Sequence, residues 1–266
     1  MSRDSVAGAI SLRNADFRFA PGSPLVLKGF TLDIRPGEFF VLLGPSGCGK
    51  TTVLNIQAGF EQATRGEVLA GESAVRGPGR DRAVVFQDSD SLYGWLTALE
   101  NVEFPLRVAG IAKQERRERA RAALRLVGLE SHEHKYPSQL SGGMKQRTQL
   151  ARALVLDSPI LLMDEPFAAV DAQTRTILQD DLVRISMRTR RTILFITHDI
   201  AEAITLADRI GVMTAGPEAS IKRTFDVTLP RPRARGHPAF GELYDRIQAI
   251  LADEVQKALR REDTVA

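Results

Sequence analysis

Apolar and polar positions divide the chain into short segments with distinct periods. From Ile10 to Leu43 the spacing is strand-like, with turn signals at "APGSP" (20–24) and "RPGE" (35–38). "FFVLLG" (39–44) is a continuous apolar run that enters a glycine loop, the pattern of a strand buried on both faces. From Thr51 to Gly59 the apolar spacing predicts a helix, and "AVVFQ" (83–87) predicts another short buried strand. The region from about Tyr93 to Leu156 reads as mostly helical. Within it, "AKQERRERARAALRLVGL" is a highly charged helix with an apolar face at Ala120, Ala123, Leu124 and Val127. Strands at 160–164, 192–197 and 209–213 then alternate with helices at 171–188 and 199–207. Such alternation predicts an α/β fold, a parallel sheet covered on both faces. A proline- and arginine-rich connector, "LPRPRARGHP" (229–238), leads to a last amphipathic helix with Phe240, Leu243, Tyr244, Ile247, Ile250 and Leu251 on one face. That stripe reads as core packing.

Composition narrows the classes. The 266 residues suffice for one large domain, or one domain with a smaller insert. Cys48 is the one cysteine, so no internal disulfide forms, which fits a reducing compartment. No apolar run approaches the roughly 18–20 residues of a membrane helix, and the N-terminus lacks the apolar core of a signal peptide. The expectation is a cytoplasmic protein whose membrane contact comes through a partner. The net charge of +3 is too mild to argue for nucleic acid. The arginines of 112–129 read as a solvated helix face, and Arg231, Arg233 and Arg235 as a solvated linker.

The first candidate site is "GPSGCGKT", Gly44 to Thr51, which fits G-x-x-x-x-G-K-[ST] between a predicted strand and a predicted helix. Its glycines let the backbone curl so that successive N–H groups face phosphate oxygens. The helix start adds partial positive charge. Lys50 suits the β- and γ-phosphates, and the Thr51 hydroxyl suits Mg²⁺. Cys48 reads as a small residue that fits the loop. At the end of a buried strand, "ILLMDEP" supplies Asp164 for Mg²⁺ and Glu165 to polarise an attacking water. One strand on, "FITHD" puts His198 where it caps a turn or bonds a γ-phosphate. These parts imply a Mg²⁺-dependent ATPase. A P-loop kinase or a GTPase shares them, but no Asn/Thr-Lys-x-Asp guanine reader occurs and nothing defines a kinase acceptor site.

"LSGGMKQR" (140–147) is a second glycine-rich helix entry with no lysine-threonine pair. Together with "GPSGCGKTT", "VFQ", "ILLMDEPF", "AAVDAQTR" and "ITHD", in this order from about residue 10 to 215, it resembles the ATP-binding-cassette ATPases. The resemblance implies a P-loop NTPase with a RecA-like parallel sheet, an N-terminal antiparallel β-subdomain and an inserted α-helical subdomain at about 93–156. The ATPase domain then spans 10–230, and 231–266 is linker and C-terminal helix. It further implies that two copies stack head to tail with ATP between the phosphate loop of one and the signature loop of the other. Gly44, Pro45, Ser46, Gly47, Cys48, Gly49, Lys50, Thr51 and Thr52 bind ATP in one copy. Ser141, Gly142 and Gly143 read the γ-phosphate held by the other. Asp171 touches the partner copy, Gln87 senses Mg²⁺ and the attacking water, and Phe19 stacks on adenine where the family often has tyrosine.

Within the superfamily the sequence resembles import ATPases for nitrate, sulfonates, taurine and related small anions. That resemblance rests on "VLLGPSGCGKTT", "LSGGMKQR", "DEPFAAVDAQTR", "ITHDIAEAITLADRI" and the tail "LPRPR". It implies permease subunits as partners, indirectly a substrate-binding protein, and a peripheral place on the cytoplasmic face of the inner membrane. Two departures stand out. Family members commonly read Leu-Leu-Pro-Trp where this chain has "DSDSLYGWLTALENV", with Gly94 before Trp95. There Tyr93, Trp95 and Leu96 form either an apolar dock for the permease or, for Trp95, plain core. Ala168 stands where glycine is usual. The alternative is a soluble ATPase of the same superfamily in a non-transport assembly.

Overall fold

The computed structural model describes residues 8–86, 91–168 and 170–265. In chain order the elements are β1 (Ile10–Phe17), β2 (Leu27–Ile34), β3 (Phe39–Leu43), α1 (Lys50–Ala58), β4 (Arg65–Ala70), β5 (Ser73–Ala74), β6 (Arg82–Val85), α2 (Ala98–Val108), α3 (Lys113–Leu126), α4 (Gly142–Leu154), β7 (Ile160–Asp164), α5 (Ala172–Thr189), β8 (Thr192–Ile196), α6 (Ile200–Leu206), β9 (Arg209–Met213), β10 (Ile221–Asp226) and α7 (Pro238–Val265). The chain is α/β and divides into two compact units. The described residues of Met1–Gly79 and Arg190–Ala266 form the first, and Arg80–Thr189 the second.

In the first unit, β2, β1, β4 and β5 form an antiparallel sheet in that order. Leu27, Phe30, Leu32 and Ile34 of β2 are buried, with polar residues between them facing out. A second set of strands runs β10-β9-β3-β8: β3 is parallel to both β8 and β9, and β10 is antiparallel to β9. All five residues of β3 and all five of β8 are buried, which accounts for their unbroken apolar runs. In the second unit β6 and β7 pair in parallel beside the helices α2, α3, α4 and α5. Ala120, Ala123, Leu124 and Val127 are buried as their spacing predicts.

The strands expected at 160–164 and 209–213 fall on β7 and β9, and the helices expected at 171–188 and 199–207 are Ala172–Thr189 and Ile200–Leu206. Three strands, β4, β5 and β10, are not legible in the sequence. Only Phe225 of β10 is buried, so β10 carries almost no apolar pattern.

The expectation of a solvated arginine linker is overturned. α6 ends with carbonyls that no further helical turn can satisfy, and two arginines of the connector satisfy them. Arg233 Nη1 donates to the carbonyls of Ile204 (2.8 Å), Thr205 (3.2 Å) and Ala207 (2.6 Å). Its Nη2 and Nε donate to Val227 O (3.2 Å) and Leu229 O (3.0 Å). Arg231 donates to Leu206 O and pairs with Asp208 at 2.8 Å. Burial first, and then the charge of Arg231, push the Arg233 guanidinium down to about 10, so it stays cationic at neutral pH against the negative end of the helix. Arg235 alone of the three is exposed.

α7 packs on α6 and β9. Phe240, Leu243 and Ile247 are buried, and Tyr244, Ile250 and Leu251 half-buried, so the stripe is core. Glu254, on the same helix, is only 2 % exposed. Its carboxylate accepts from the Ala215 backbone N–H (2.8 Å) and from the ammonium groups of Lys222 and Lys257 (2.9 Å each). Burial alone would push this carboxyl up. The three donors outweigh it and bring the value down from the ordinary 4.5 to about 2.

Arg233→Ser is expected to cost about 2 kcal/mol in urea denaturation, while Arg235→Ser stays within about 0.5 kcal/mol of the parent; equal values for the two would refute the helix cap. Because the folded-state pKa of Glu254 is depressed, its stabilisation is complete above about pH 4.5 and is lost as pH falls toward 2. The stability gap between the parent and Glu254→Gln should therefore be full at pH 7 and close progressively below pH 4.5. A gap that does not change with pH would contradict the assignment.

Candidate functional site

The phosphate loop begins where β3 ends. Five buried residues fix the strand, and the chain then turns through Gly44 to Gly49 into α1. Gly49 is the N-cap of α1 with φ 96°, a left-handed conformation that favours glycine. No side chain caps α1, and no acidic residue lies in its first turn. The first N–H groups of a helix have no acceptor within it, so this end is open to an anion. Gly44, Pro45, Cys48, Lys50 and Thr52 are buried, whereas Ser46, Gly47 and Thr51 are exposed and Gly49 is intermediate. Lys50 Nζ donates to the carbonyls of Gly44 and Pro45 (2.9 Å each), which holds the ammonium over its own loop. Burial pushes the Cys48 thiol up by more than Lys50 pulls it down, so the sulfur is a neutral packing group.

β8 lies parallel beside β3, with Ile196 opposite Leu42. The loop after β8 therefore leaves the sheet at the same edge as the phosphate loop. It carries His198, which is exposed, followed by Asp199, whose carboxylate caps α6 by accepting from the Glu202 N–H at 3.0 Å. Phe19 follows β1 and is 71 % exposed, its ring edge-on to the buried Phe17 at 5.1 Å. An exposed flat ring held by a buried one can serve as a stacking surface.

The second unit holds the other candidates. β7 is buried along its whole length and ends in Asp164, 8 % exposed. Glu165 follows with φ 41°, a left-handed backbone that costs energy for a residue with a Cβ. The Ala168 N–H closes this turn onto Glu165 O at 3.1 Å, and Ala168 is exposed. Asp171 caps α5: its carboxylate accepts from the Thr174 N–H at 3.0 Å, and that bond first of all lowers its pKa. Ser141 is the N-cap of α4 and its Oγ accepts from the Met144 N–H at 3.3 Å. Its own hydrogen stays available as a donor. Ser141 and Gly142 are exposed, and no acidic residue lies in the first turn of α4. A Cβ on Gly143 would stand 2.5 Å from Thr174 Cγ2, so the signature loop needs glycine there to approach the start of α5. Thr174 had not been singled out from the sequence, because nothing in its neighbourhood marks the contact. Gln87 lies outside the described residues.

The departure around Trp95 is a built feature. Trp95 is 75 % exposed, which excludes its reading as core. Its ring lies 5.4 Å from Tyr93, which sits 4.6 Å from Phe104. The fully buried Asn101 holds the turn: it accepts from the Tyr93 N–H (2.8 Å) and donates to the carbonyls of Tyr93 (3.1 Å), Leu96 (3.0 Å) and Thr97 (3.0 Å). A Thr97–Glu100 capping box starts α2 beside it, a T-x-x-E signal present in the sequence but not read there.

Among the described residues no group of three or more His, Cys, Asp or Glu could hold a metal ion. Thr51, in the first unit, carries a hydroxyl oxygen and Asp164, in the second, a carboxylate; each taken by itself is a hard oxygen donor of the kind Mg²⁺ accepts while keeping several waters. No helix among the described residues is long and apolar enough to cross a membrane.

Known proteins match this arrangement. The ABC transporter family profile covers residues 27–168. An uncharacterized ABC transporter ATP-binding protein of Methanocaldococcus jannaschii is 48 % identical over 92 % of this chain and 91 % of its own. The taurine import ATP-binding protein TauB of Sinorhizobium fredii is 43 % identical over 85 % of this chain and 87 % of its own. A dimeric ATP-binding cassette, solved in a post-hydrolysis state bound to ADP and Pi, superposes with a TM-score of 0.70 at 31 % identity over 83 % of this chain and 100 % of its own. By the family profile over residues 27–168 and by these relatives, this chain belongs to the ABC transporter family as an ATP-hydrolysing, ATP-binding subunit.

Proposed function

We propose that this chain is the energy-coupling subunit of an importer for a small anion such as nitrate, a sulfonate or taurine, and that it works as a dimer of itself with ATP held between the two copies. The observation that carries the reading is the pair of helix starts at α1 and α4. Each is glycine-rich and partly exposed, without an acid in its first turn, yet only α1 brings the lysine and threonine of a complete phosphate site. A second phosphate entry without its own Lys-Thr pair suits a nucleotide already bound by another copy. The dimeric form of the similar cassette supports this, as does the name of the taurine import relative.

In this reading residues 10–230 are the ATPase domain, with the helical subdomain at about 93–156 inserted in it, and 231–266 are the connector and terminal helix. Phe19 stacks on adenine. Gly44 to Thr52 hold the phosphates, with Lys50 neutralising the β- and γ-phosphates. Thr51, Asp164 and Gln87 are the protein's contacts to the Mg²⁺–water shell. Mg²⁺ held there would supply positive charge against the phosphates. Glu165 takes a proton from the attacking water, and its strained backbone is consistent with a side chain aimed by the fold. His198 bonds the γ-phosphate. Ser141 donates its hydroxyl hydrogen to the γ-phosphate of the opposite copy, and Gly142 and Gly143 present backbone N–H groups to it. Asp171 meets the partner copy while capping α5. Hydrolysis removes a ligand that both copies hold, so the closed dimer loses its advantage over the open one. The permease reads that change on the cytoplasmic face of the membrane, and a separate binding protein selects the anion. The Trp95 platform, with a cleft of about 220 Å³ beside it lined in part by Leu96, Phe104 and Arg107, suits an apolar segment of the permease with a charged flank.

Glu165→Gln is expected to keep ATP but lower turnover at least about 100-fold and to accumulate an ATP-dependent dimer in size-exclusion chromatography. Used as bait on detergent-solubilised membranes with ATP and Mg²⁺, it should retain a multispanning permease. Normal turnover would remove Glu165 as the base, and recovery of soluble partners alone would remove the transport role. Ser141→Arg should abolish hydrolysis while the isolated monomer binds nucleotide as before. If the monomer lost affinity as well, the signature loop would belong to its own chain's nucleotide.

A further inference from the structure

The phosphate loop does not stand alone on β3. The turn that joins β9 to β10, residues 214–220, lies against it from outside the nucleotide motifs. A Cβ on Gly216 would stand 3.3 Å from Gly47 O and 3.5 Å from the Cys48 Cα, so the two backbones are in contact. At the start of the loop, a Cβ on Gly44 would stand 3.1 Å from Met213 Cβ, the last residue of β9. At its end, a Cβ on Gly49 would meet Val26 Cγ1 at 3.0 Å, and Val26 O accepts from the Ala219 N–H at 2.9 Å. The turn itself thus touches the middle of the loop, and the residues against the loop's two ends, Met213 and Val26, are the last of β9 and a hydrogen-bond partner of the turn's Ala219.

What holds the turn is α7. The buried Glu254 carboxylate accepts from the Ala215 N–H, and Lys222 and Lys257 converge on the same carboxylate. About two helical turns beyond Glu254, Arg261 Nη1 donates to Gly216 O at 2.6 Å and lies 3.5 Å from Ala215 O. One donor and one acceptor of α7 therefore grip consecutive residues of a turn whose outer surface touches Gly47 and Cys48. Nothing about packing α7 requires this. Its apolar face, Phe240, Leu243 and Ile247, is buried earlier along the helix.

We propose that α7 sets the position of the phosphate loop through the 215–216 backbone, and that Glu254 and Arg261 are positioning residues for nucleotide binding. The proposal rests on the reading of Gly44 to Thr52 as the site of the ATP phosphates. Loop N–H groups bind phosphate well only when they are held in place beforehand. Releasing the brace should cost affinity for the nucleotide and leave the chemical step largely untouched, because neither residue reaches the reacting atoms in this assignment.

The test measures ADP affinity by titration calorimetry with Mg²⁺, and KM and kcat for ATP, on the full chain. Arg261→Met keeps the side-chain stem and removes the donor. It is expected to weaken ADP binding and raise KM about three- to tenfold with kcat within about twofold, and Arg261→Lys should restore most of the loss. Ile247→Ala loosens the packing of α7 without touching the turn; it should lower the melting temperature and leave KM alone. Unchanged ADP affinity in Arg261→Met, while Lys50→Ala loses the nucleotide, would overturn the proposal and spare the phosphate-loop assignment. An equal rise in KM from Ile247→Ala would also overturn it, since general loosening would then explain the effect. Retention of nucleotide by Lys50→Ala would remove the phosphate-loop assignment and this proposal with it.

Discussion

Helix ends carry backbone groups that the helix itself cannot satisfy, and how each end is satisfied sets what this chain can bind. α2, α5 and α6 begin with carboxylates within hydrogen-bond reach: Glu100 in the capping box with Thr97, Asp171, and Asp199. Those ends are closed to anions. α7 begins with a proline, and His237 accepts from the Ala239 N–H. α1 has no side-chain cap at all, and α4 has only a neutral serine. α1 and α4 are the glycine-rich starts among these helices, and neither has an acid in its first turn.

An open helix start is useful only if the chain before it is stiff. The fully buried β3 supplies this on one side, and the left-handed Gly49 sets the angle of entry into α1. Lys50 donates to the carbonyls of Gly44 and Pro45, which keeps its ammonium at the loop. The second unit solves a similar problem around Glu165. A buried strand delivers the acid pair, and a left-handed backbone turns the chain sharply at the glutamate. In both places the parallel strands are rigid supports and the candidate residues sit in the turns at their ends, as is usual for sheets of this kind.

The polar residues that the motifs do not use are also structural. Arg233 serves α6 from the connector, Asn101 fixes the turn under Trp95, and Glu254 takes three donors beneath the C-terminal helix. Each satisfies backbone groups that burial would otherwise leave without partners, a loss that costs more than the bond itself contributes. The 229–265 region is therefore part of the first unit's framework.

Sequence alone determined the elements whose pattern is local. The all-buried strands β3, β7 and β8, the apolar face of α3 and the stripe of α7 are written in the period of their own residues, and the phosphate, acid-pair and signature motifs in their own spacing. It missed β4, β5 and β10, short strands with few buried apolar residues that pair through backbone bonds to neighbouring strands. It gave Arg233 to solvent, because the carbonyls it binds belong to residues 26 to 29 positions earlier. It left Trp95 undecided between core and surface, because a tryptophan reads the same in either place until Asn101 and Tyr93 are seen to hold it outward. Local period and spacing fix what a segment is; which charges become caps, which rings face outward and which turn presses on the phosphate loop depend on partners far along the chain, and only the tertiary structure brings those together.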